Sequence, residues 1–138
     1  MIETTLYSTG WIPDTIRKIP RLSTAEAIAT FFQANYPEIN DKETRIKDVA
    51  RYQTEDILEQ IRQGQLWLVA RINSRLVGIT KFRIDNRSDN SNQEETKLLI
   101  SWMMIALQHR RKGIATNFVD QIDTHAPSLR FSDVVLYH

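Results

Sequence analysis

Apolar positions along the chain fall into two rhythms. From Ser23 onward, Ala25, Ile28 and Phe32 recur at helical spacing, with a capping-box arrangement at Ser23 and Glu26 and an exit at Pro37. Residues 41–63 predict helix in one or two pieces. Ile46, Val49 and Ala50 form one stripe, and Thr54 caps a second carrying Ile57, Leu58 and Ile61, with Gly64 as the stop. The rhythm then changes to a continuous apolar run, Leu66 to Ile72. A turn at Asn73-Ser74-Arg75 leads into Leu76 to Ile84, where Phe82 and Ile84 alternate with Lys81, Arg83 and Asp85, a hairpin signal. Asp85 to Gln93 reads as a polar loop, and Thr15 to Ile19 as a short strand closed by Pro20.

Lys97 to Leu107 is almost wholly apolar, as a strand covered on both faces would be, and belongs in the centre of a sheet. After His109 to Gly113, Ala115, Phe118, Val119 and Ile122 return to helical spacing, and Pro127 ends that helix. Ser132 to Tyr137 is a last short strand. The final strand, helix and strand form a unit whose two strands should run parallel. No repeat or low-complexity tract divides the chain, so residues 1–138 are expected to form one domain of the mixed α+β class.

Composition narrows the function classes. With 41% apolar and 25% charged residues, the chain can bury one modest core. Eighteen Lys and Arg against 17 Asp and Glu give a net charge of +1, which supplies no global field toward nucleic acid or an anionic membrane. The absence of cysteine removes disulfides, thiolate metal sites and a cysteine nucleophile. Leu98 to Leu107 is far shorter than the roughly 20 residues of a membrane span, and the first residues lack the pattern of a secretory signal, so the expected location is the cytoplasm.

The segment with chemical content is the junction between the central strand and the following helix. A helix N-terminus carries about half a positive charge and favours carboxylates, yet Arg110, Arg111 and Lys112 precede this helix. Unpaired N–H groups, the helix dipole and local cations together suit a phosphate, and Gly113 permits close backbone approach. A solvated basic turn with a corner glycine is the alternative reading.

Gln108-His109-Arg110-Arg111-Lys112-Gly113-Ile114-Ala115 resembles the acetyl-CoA-binding motif of the GCN5-related N-acetyltransferases, with Arg110, Gly113 and Ala115 at its fixed positions. The order of elements from about Thr15 onward, with Leu76-Val77-Gly78 opening the second hairpin strand, resembles that family as well. The resemblance implies an acyl-CoA N-acyltransferase-like fold. Its central mixed, mostly antiparallel sheet would be flanked by helices, with the parallel strand–helix–strand unit at the coenzyme A site. It implies direct transfer of an acetyl or larger acyl group from acetyl-CoA, as co-substrate, to a primary amine of a small molecule or peptide in a ternary complex. Cofactor contacts would come from Ile105, Leu107, Arg110, Arg111, Lys112, Gly113, Ile114, Ala115 and Thr116. The N–H groups of Arg111, Gly113, Ala115 and Thr116 would cradle the pyrophosphate. A bulged strand would expose backbone at Ile105 and Leu107 to pantetheine, with an N–H near Met104 and Ile105 polarising the thioester carbonyl.

An alkylamine with a pKa near 10.4 must lose a proton before it attacks. Many relatives place a carboxylate where Leu99 to Ser101 falls, and none stands there. The candidate base is Glu95, four residues before Leu99 and on the same face of a regular strand, acting through water; a surface carboxylate at a loop end is the alternative, and Glu94 is the weaker candidate. The resemblance places Tyr36 and Tyr52 on the helices that cover the acceptor side in relatives, as candidates to line the amine pocket; partly buried packing with a wet hydroxyl is the alternative. Tyr137 lies in the last strand and is expected to pack, His109 and His125 lack the clustered Asp or Glu partners of a metal or relay site, and no metal site is expected. The helix and two strands that usually close the acceptor side in relatives are absent after residue 138. The resemblance therefore raises a homodimer completing the sheet, or partial filling of the gap by Leu6 to Ile12. The competing functional class is a non-catalytic domain binding coenzyme A or a protein partner. Nucleic-acid binding is not expected, because the basic patch is short and not interleaved with aromatics.

Overall fold

The structure, a computed structural model, describes residues 1–9, 17–37, 40–88, 94–125 and 130–134. Five strands form one sheet in chain order: β1 (Ile2–Tyr7), β2 (Leu66–Ile72), β3 (Arg75–Ser88), β4 (Glu94–Ile105) and β5 (Arg130–Val134). The helices are α1 (Leu22–Ala34), α2 (Lys42–Ala50), α3 (Thr54–Arg62) and α4 (Ile114–His125). The first three pairings are antiparallel and β4–β5 is parallel, as the mixed α+β class requires.

Alternation along β2 divides the core between the two faces of the sheet. Trp67 and Val69 join Ile28, Phe31 and Phe32 of α1 and Ile57 and Ile61 of α3 in one cluster. Leu66, Leu68 and Ala70 join Ile114, Phe118 and Ile122 of α4 in the other. On that second face α4 lies close to β3, because Gly78 has no side chain: a Cβ there would stand 3.1 Å from Ile114 and 3.2 Å from Phe118.

β3 and β4 slip by one residue where Lys81 pairs with Trp102 but Phe82 pairs with Ile100. Ser101 is the extra residue, a β-bulge. Ile100 and Met103 pack on the α4 face, while Trp102 and Met104 pack on the α1–α3 face. The Thr80 hydroxyl, fully buried, donates to the Trp102 carbonyl at 2.8 Å beside the bulge.

Several expectations are corrected. The first strand, β1, lies on the sheet edge opposite β5, with Leu6 and Tyr7 against Leu68 and Trp67, so these two do not fill a gap beside β5, and residues 10–12 of that expectation lie outside the described residues. Of the expected Thr15–Ile19 strand, residues 15 and 16 lie outside the described residues, and Lys18 makes an isolated bridge with Ser8. α1 begins at Leu22 with Arg21 at its N-cap, which puts Ser23 inside the first turn and forms no side-chain cap. Gln53, rather than Thr54, caps α3, its N–H donating to Asp56 at 3.0 Å. β3 runs on to Ser88, so residues 85–88 are strand and 89–93 lie outside the described residues. β4 ends at Ile105, and Leu107 opens a 3-10 turn, Leu107–His109. Pro127 and Tyr137 also lie outside the described residues.

The stripe expected of α2 is not buried: no residue of this helix is, and Ile46 is 61% exposed, whereas Ile57 and Ile61 of α3 are fully buried. α2 rests instead on the Asp41 cap, which accepts from the Thr44 N–H at 2.7 Å. Accordingly, Ile57→Ala should cost about 2–5 kcal/mol in urea denaturation, and Ile46→Ala no more than about 0.5 kcal/mol. The β2–β3 hairpin turns through Asn73 (φ 51°) and Ser74 (φ 65°), a two-residue turn that favours glycine at its second position. Ser74→Gly should stabilise by about 1 kcal/mol by the same measurement.

Candidate functional site

Two features of β4 meet at its C-terminal end. The first is the turn into α4. Ala106 N–H donates to the Val77 carbonyl at 2.9 Å, His109 N–H to Ala106 at 2.9 Å and Arg110 N–H to Leu107 at 3.3 Å, which winds the chain sharply after the strand. Arg111 (φ 66°) and Gly113 (φ 80°) then adopt left-handed backbone. Such a conformation is rare for arginine and concentrates at functional turns. The first helical hydrogen bond is Asn117 N–H to Gly113 at 2.9 Å, so the amides before it have no carbonyl within the helix.

This turn is anchored inward and open outward. Ile114, 1% exposed, packs toward Gly78, while Arg110, Arg111, Lys112, Gly113, Ala115 and Thr116 are all exposed. α4 has no acidic residue in its first turn. Leu107, 72% exposed, stands beside it, and Ile105 is half-buried. Beyond Ile100, which pairs with Val134, β4 continues to Ile105 without a partner among the described residues of β5. Amides and strand backbone with no partner among the described residues, three cations and an exposed leucine fit an anionic, partly apolar ligand such as coenzyme A. A wider groove of about 550 Å³ runs from this turn, at Ala106, Gln108 and His109, to Phe31 and Asn35 on α1.

The second feature is a cavity of about 140 Å³ on the α1–α3 face, lined by Phe32, Tyr36, Pro37, Asp48, Arg51, Tyr52, Trp102 and Met104. Its walls are aromatic. Phe32 and Tyr52 have ring centroids 4.5 Å apart, and Tyr52 meets Trp102 edge-on at 5.4 Å and 87°. The Tyr36 hydroxyl donates to Asp48, and the Asn40 side-chain amide donates to the Tyr36 hydroxyl at 2.9 Å, tying the exit of α1 to α2. The Tyr52 hydroxyl accepts from the Trp102 indole N–H at 3.1 Å and from the Lys81 ammonium at 3.2 Å. Burial, more than any neighbouring group, pushes the Tyr52 phenol above its ordinary value. Burial likewise pulls Lys81 down to about 8, with the nearby Arg83 adding to the effect.

Tyr36 and Tyr52, singled out in the sequence, are brought together in this cavity. Glu95 is not: it pairs with Arg87 in the first half of β4, seven residues from Trp102 and about 20 Å away along the strand. Asp48, Lys81 and Trp102 were missed. An indole inside an apolar strand and a lysine inside a β-hairpin are the available signals, since each needs a buried polar partner. Among the described residues no cluster of His, Asp or Glu could hold a metal ion, and no helix is long and apolar enough to cross a membrane.

Solved structures share this architecture at low identity. An aminoglycoside acetyltransferase from an uncultured soil metagenomic sample matches 99% of this chain and 79% of its own, with TM-score 0.66 and 17% identity. A ribosomal-protein-alanine N-acetyltransferase from Brucella melitensis biovar Abortus matches 99% and 79%, with TM-score 0.61 and 19% identity. The PaiA N-acetyltransferase from Thermoplasma acidophilum, solved with coenzyme A, matches 93% and 73%, with TM-score 0.62 and 15% identity. No curated protein matches the chain. The model of the acetyltransferase (GNAT) family matches residues 25–137, which span the helices, the hairpin, β4 and the turn, and the chain therefore belongs to the GNAT acetyltransferase family.

Proposed function

We propose that the chain is an N-acetyltransferase that passes an acetyl group from acetyl-CoA to a primary amine by direct attack in a ternary complex. The observation that carries this reading is the sharing of β4. Trp102 and Met104 wall the aromatic cavity, and the same strand runs on through Ile105 into the cationic turn, so donor and acceptor would meet along one rigid element.

In this reading the pyrophosphate of coenzyme A binds the N–H groups of Arg111, Gly113, Ala115 and Thr116. Arg110 and Lys112 add charge, and Ile114 anchors the turn. Ile105 and Leu107 hold pantetheine, whose thioester supplies the activated acetyl carbon. A GNAT neighbour solved with coenzyme A supports the choice of co-substrate.

The acceptor enters the cavity as an ammonium, drawn by the Asp48 carboxylate and the faces of Tyr36, Tyr52 and Trp102. About 140 Å³ is close to the size of a cavity that holds benzene, so it admits one amine-bearing group while any larger remainder stays outside. The neighbours' names cover both aminoglycosides and a ribosomal-protein alanine, so the fold itself does not choose between small molecules and peptides. The lack of a carboxylate at Leu99, Ile100 or Ser101 favours a second reading, a domain that binds coenzyme A without turnover.

Acetyl-CoA at about 100 times its dissociation constant should stabilise the protein by about 2.7 kcal/mol in thermal unfolding. Gly113→Asp, which adds bulk and negative charge at a left-handed position, should abolish the shift; no wild-type shift at millimolar acetyl-CoA would sink the reading. Thiol release across a panel of amines separates enzyme from binding domain. Asp48→Asn should raise KM for alkylamines about tenfold with kcat nearly kept, as expected when a charged hydrogen-bond partner becomes neutral.

A further inference from the structure

Lys81 is a lysine 9% exposed on the α1–α3 face of β3, with no ion-pair partner among the described residues. Burial of an ammonium without a counter-charge is costly, and here the Tyr52 hydroxyl at 3.2 Å and the Tyr52 ring, with its centroid 5.0 Å away, offset that cost. The groups facing it can be named element by element. Trp67 on β2 and Trp102 on β4 flank it in register and do not titrate. Tyr52, between α2 and α3, takes its hydrogen bond, with Asp48 and Arg51 acting on that phenol. Arg83, exposed and on the same strand, is the cation beside it.

Tyr52 is placed to change roles with the charge of Lys81. Its oxygen has two acceptor sites and one proton. When Lys81 is charged, the lysine and Trp102 fill both acceptor sites, and the phenolic proton would then turn to the cavity that Tyr52 lines. An ammonium meets a donor there and is repelled. When Lys81 is neutral, its nitrogen accepts the phenolic proton, Trp102 still fills one acceptor site, and the remaining lone pair turns to the cavity. The same ammonium now meets an acceptor.

We infer that Tyr52 is the catalytic residue that takes the proton from the acceptor ammonium and that Lys81, behind it, is the positioning residue where that proton comes to rest. This inference rests on the acetyltransferase reading above. The ammonium N–H passes its proton to the Tyr52 oxygen while the phenolic proton moves to the Lys81 nitrogen, leaving a free amine and a charged lysine. The amine nitrogen then bonds to the thioester carbonyl carbon, and the C–S bond breaks. The second nitrogen proton goes to the departing sulfur, giving amide and thiol. Lys81 returns its proton to solvent through Tyr52, one per turnover. This fills the role for which the strand itself offers no carboxylate between Leu99 and Ser101.

The competent form holds Lys81 neutral, so activity must rise with pH. For the wild type, kcat/KM with a simple alkylamine should increase through about pH 8, the value to which burial brings Lys81. Lys81→Met should lower kcat about 100-fold at pH 8.5 and move the rising limb to the amine's own pKa, about 10.4. Lys81→Arg, always charged, should be as slow as Lys81→Met, whereas a purely structural cation would be rescued by arginine. Tyr52→Phe should match Lys81→Met, and the double variant should be no slower than either. Acetyl-CoA-induced thermal shifts of all four variants should equal that of the wild type, which separates lost chemistry from lost folding. A Lys81→Met enzyme with the wild-type rate and pH profile overturns the relay while leaving the acetyltransferase intact. A wild type that binds acetyl-CoA but acetylates no amine overturns the enzyme reading and the relay together.

Discussion

Inserting Ser101 between Ile100, opposite Phe82, and Trp102, opposite Lys81, turns the later part of β4 over by one face, because side chains alternate with a period of two. With a regular register Trp102 would face α4. The bulge sends it, with Met104, to the side where α1 and α3 pack, and there its indole N–H finds the Tyr52 hydroxyl. The Thr80 hydroxyl takes up the Trp102 carbonyl next to the irregularity, so a buried polar group is not abandoned by it. The place of Trp102 and Met104 in the cavity wall, and the bond from Trp102 to Tyr52, follow from this one register slip.

The two halves of the site are electrostatically distinct although the chain is almost neutral. The turn before α4 concentrates three exposed cations and unpaired amides where a helix prefers acid. The cavity has Asp48 among aromatic faces, with Arg51 at its edge. Under the proposed function, an anionic donor and a cationic acceptor would be directed to different places on one strand, and neither would compete for the other's subsite.

Hydrophobic periodicity made most of the fold legible. The fully buried Ala25, Ile28, Ile57 and Ile61, the run from Leu66 to Ala70, and Phe118 and Ile122 on α4 lie where the spacing of three, four or two put them. It failed where pairing or register decides. Ile2 to Tyr7 mixes Glu3, Thr4 and Thr5 with few apolar residues and becomes a strand because β2 offers it an edge. The stripe of α2 has helical spacing, but only Val49 of it packs against the core, and only partly buried. Within the site, Tyr36 and Tyr52 were visible through the resemblance, on the helices that cover the acceptor side in relatives. Asp48, Lys81 and Trp102 were not, because they converge only after a bulge that reads in the sequence as a single serine between apolar neighbours.

The unburied α2 divides the cavity into parts of unequal firmness. Trp102, Met104 and Phe32 belong to the buried core, whereas Asp48 sits on a helix held by a terminal cap, by the partly buried Val49 and by the bond from Tyr36. An element with so few buried apolar contacts opens locally at a small fraction of the global cost. If the cavity takes the acceptor amine as proposed, its selectivity would drift through changes on α2, which disturb little packing, while the floor against which acetyl transfer would take place stays fixed.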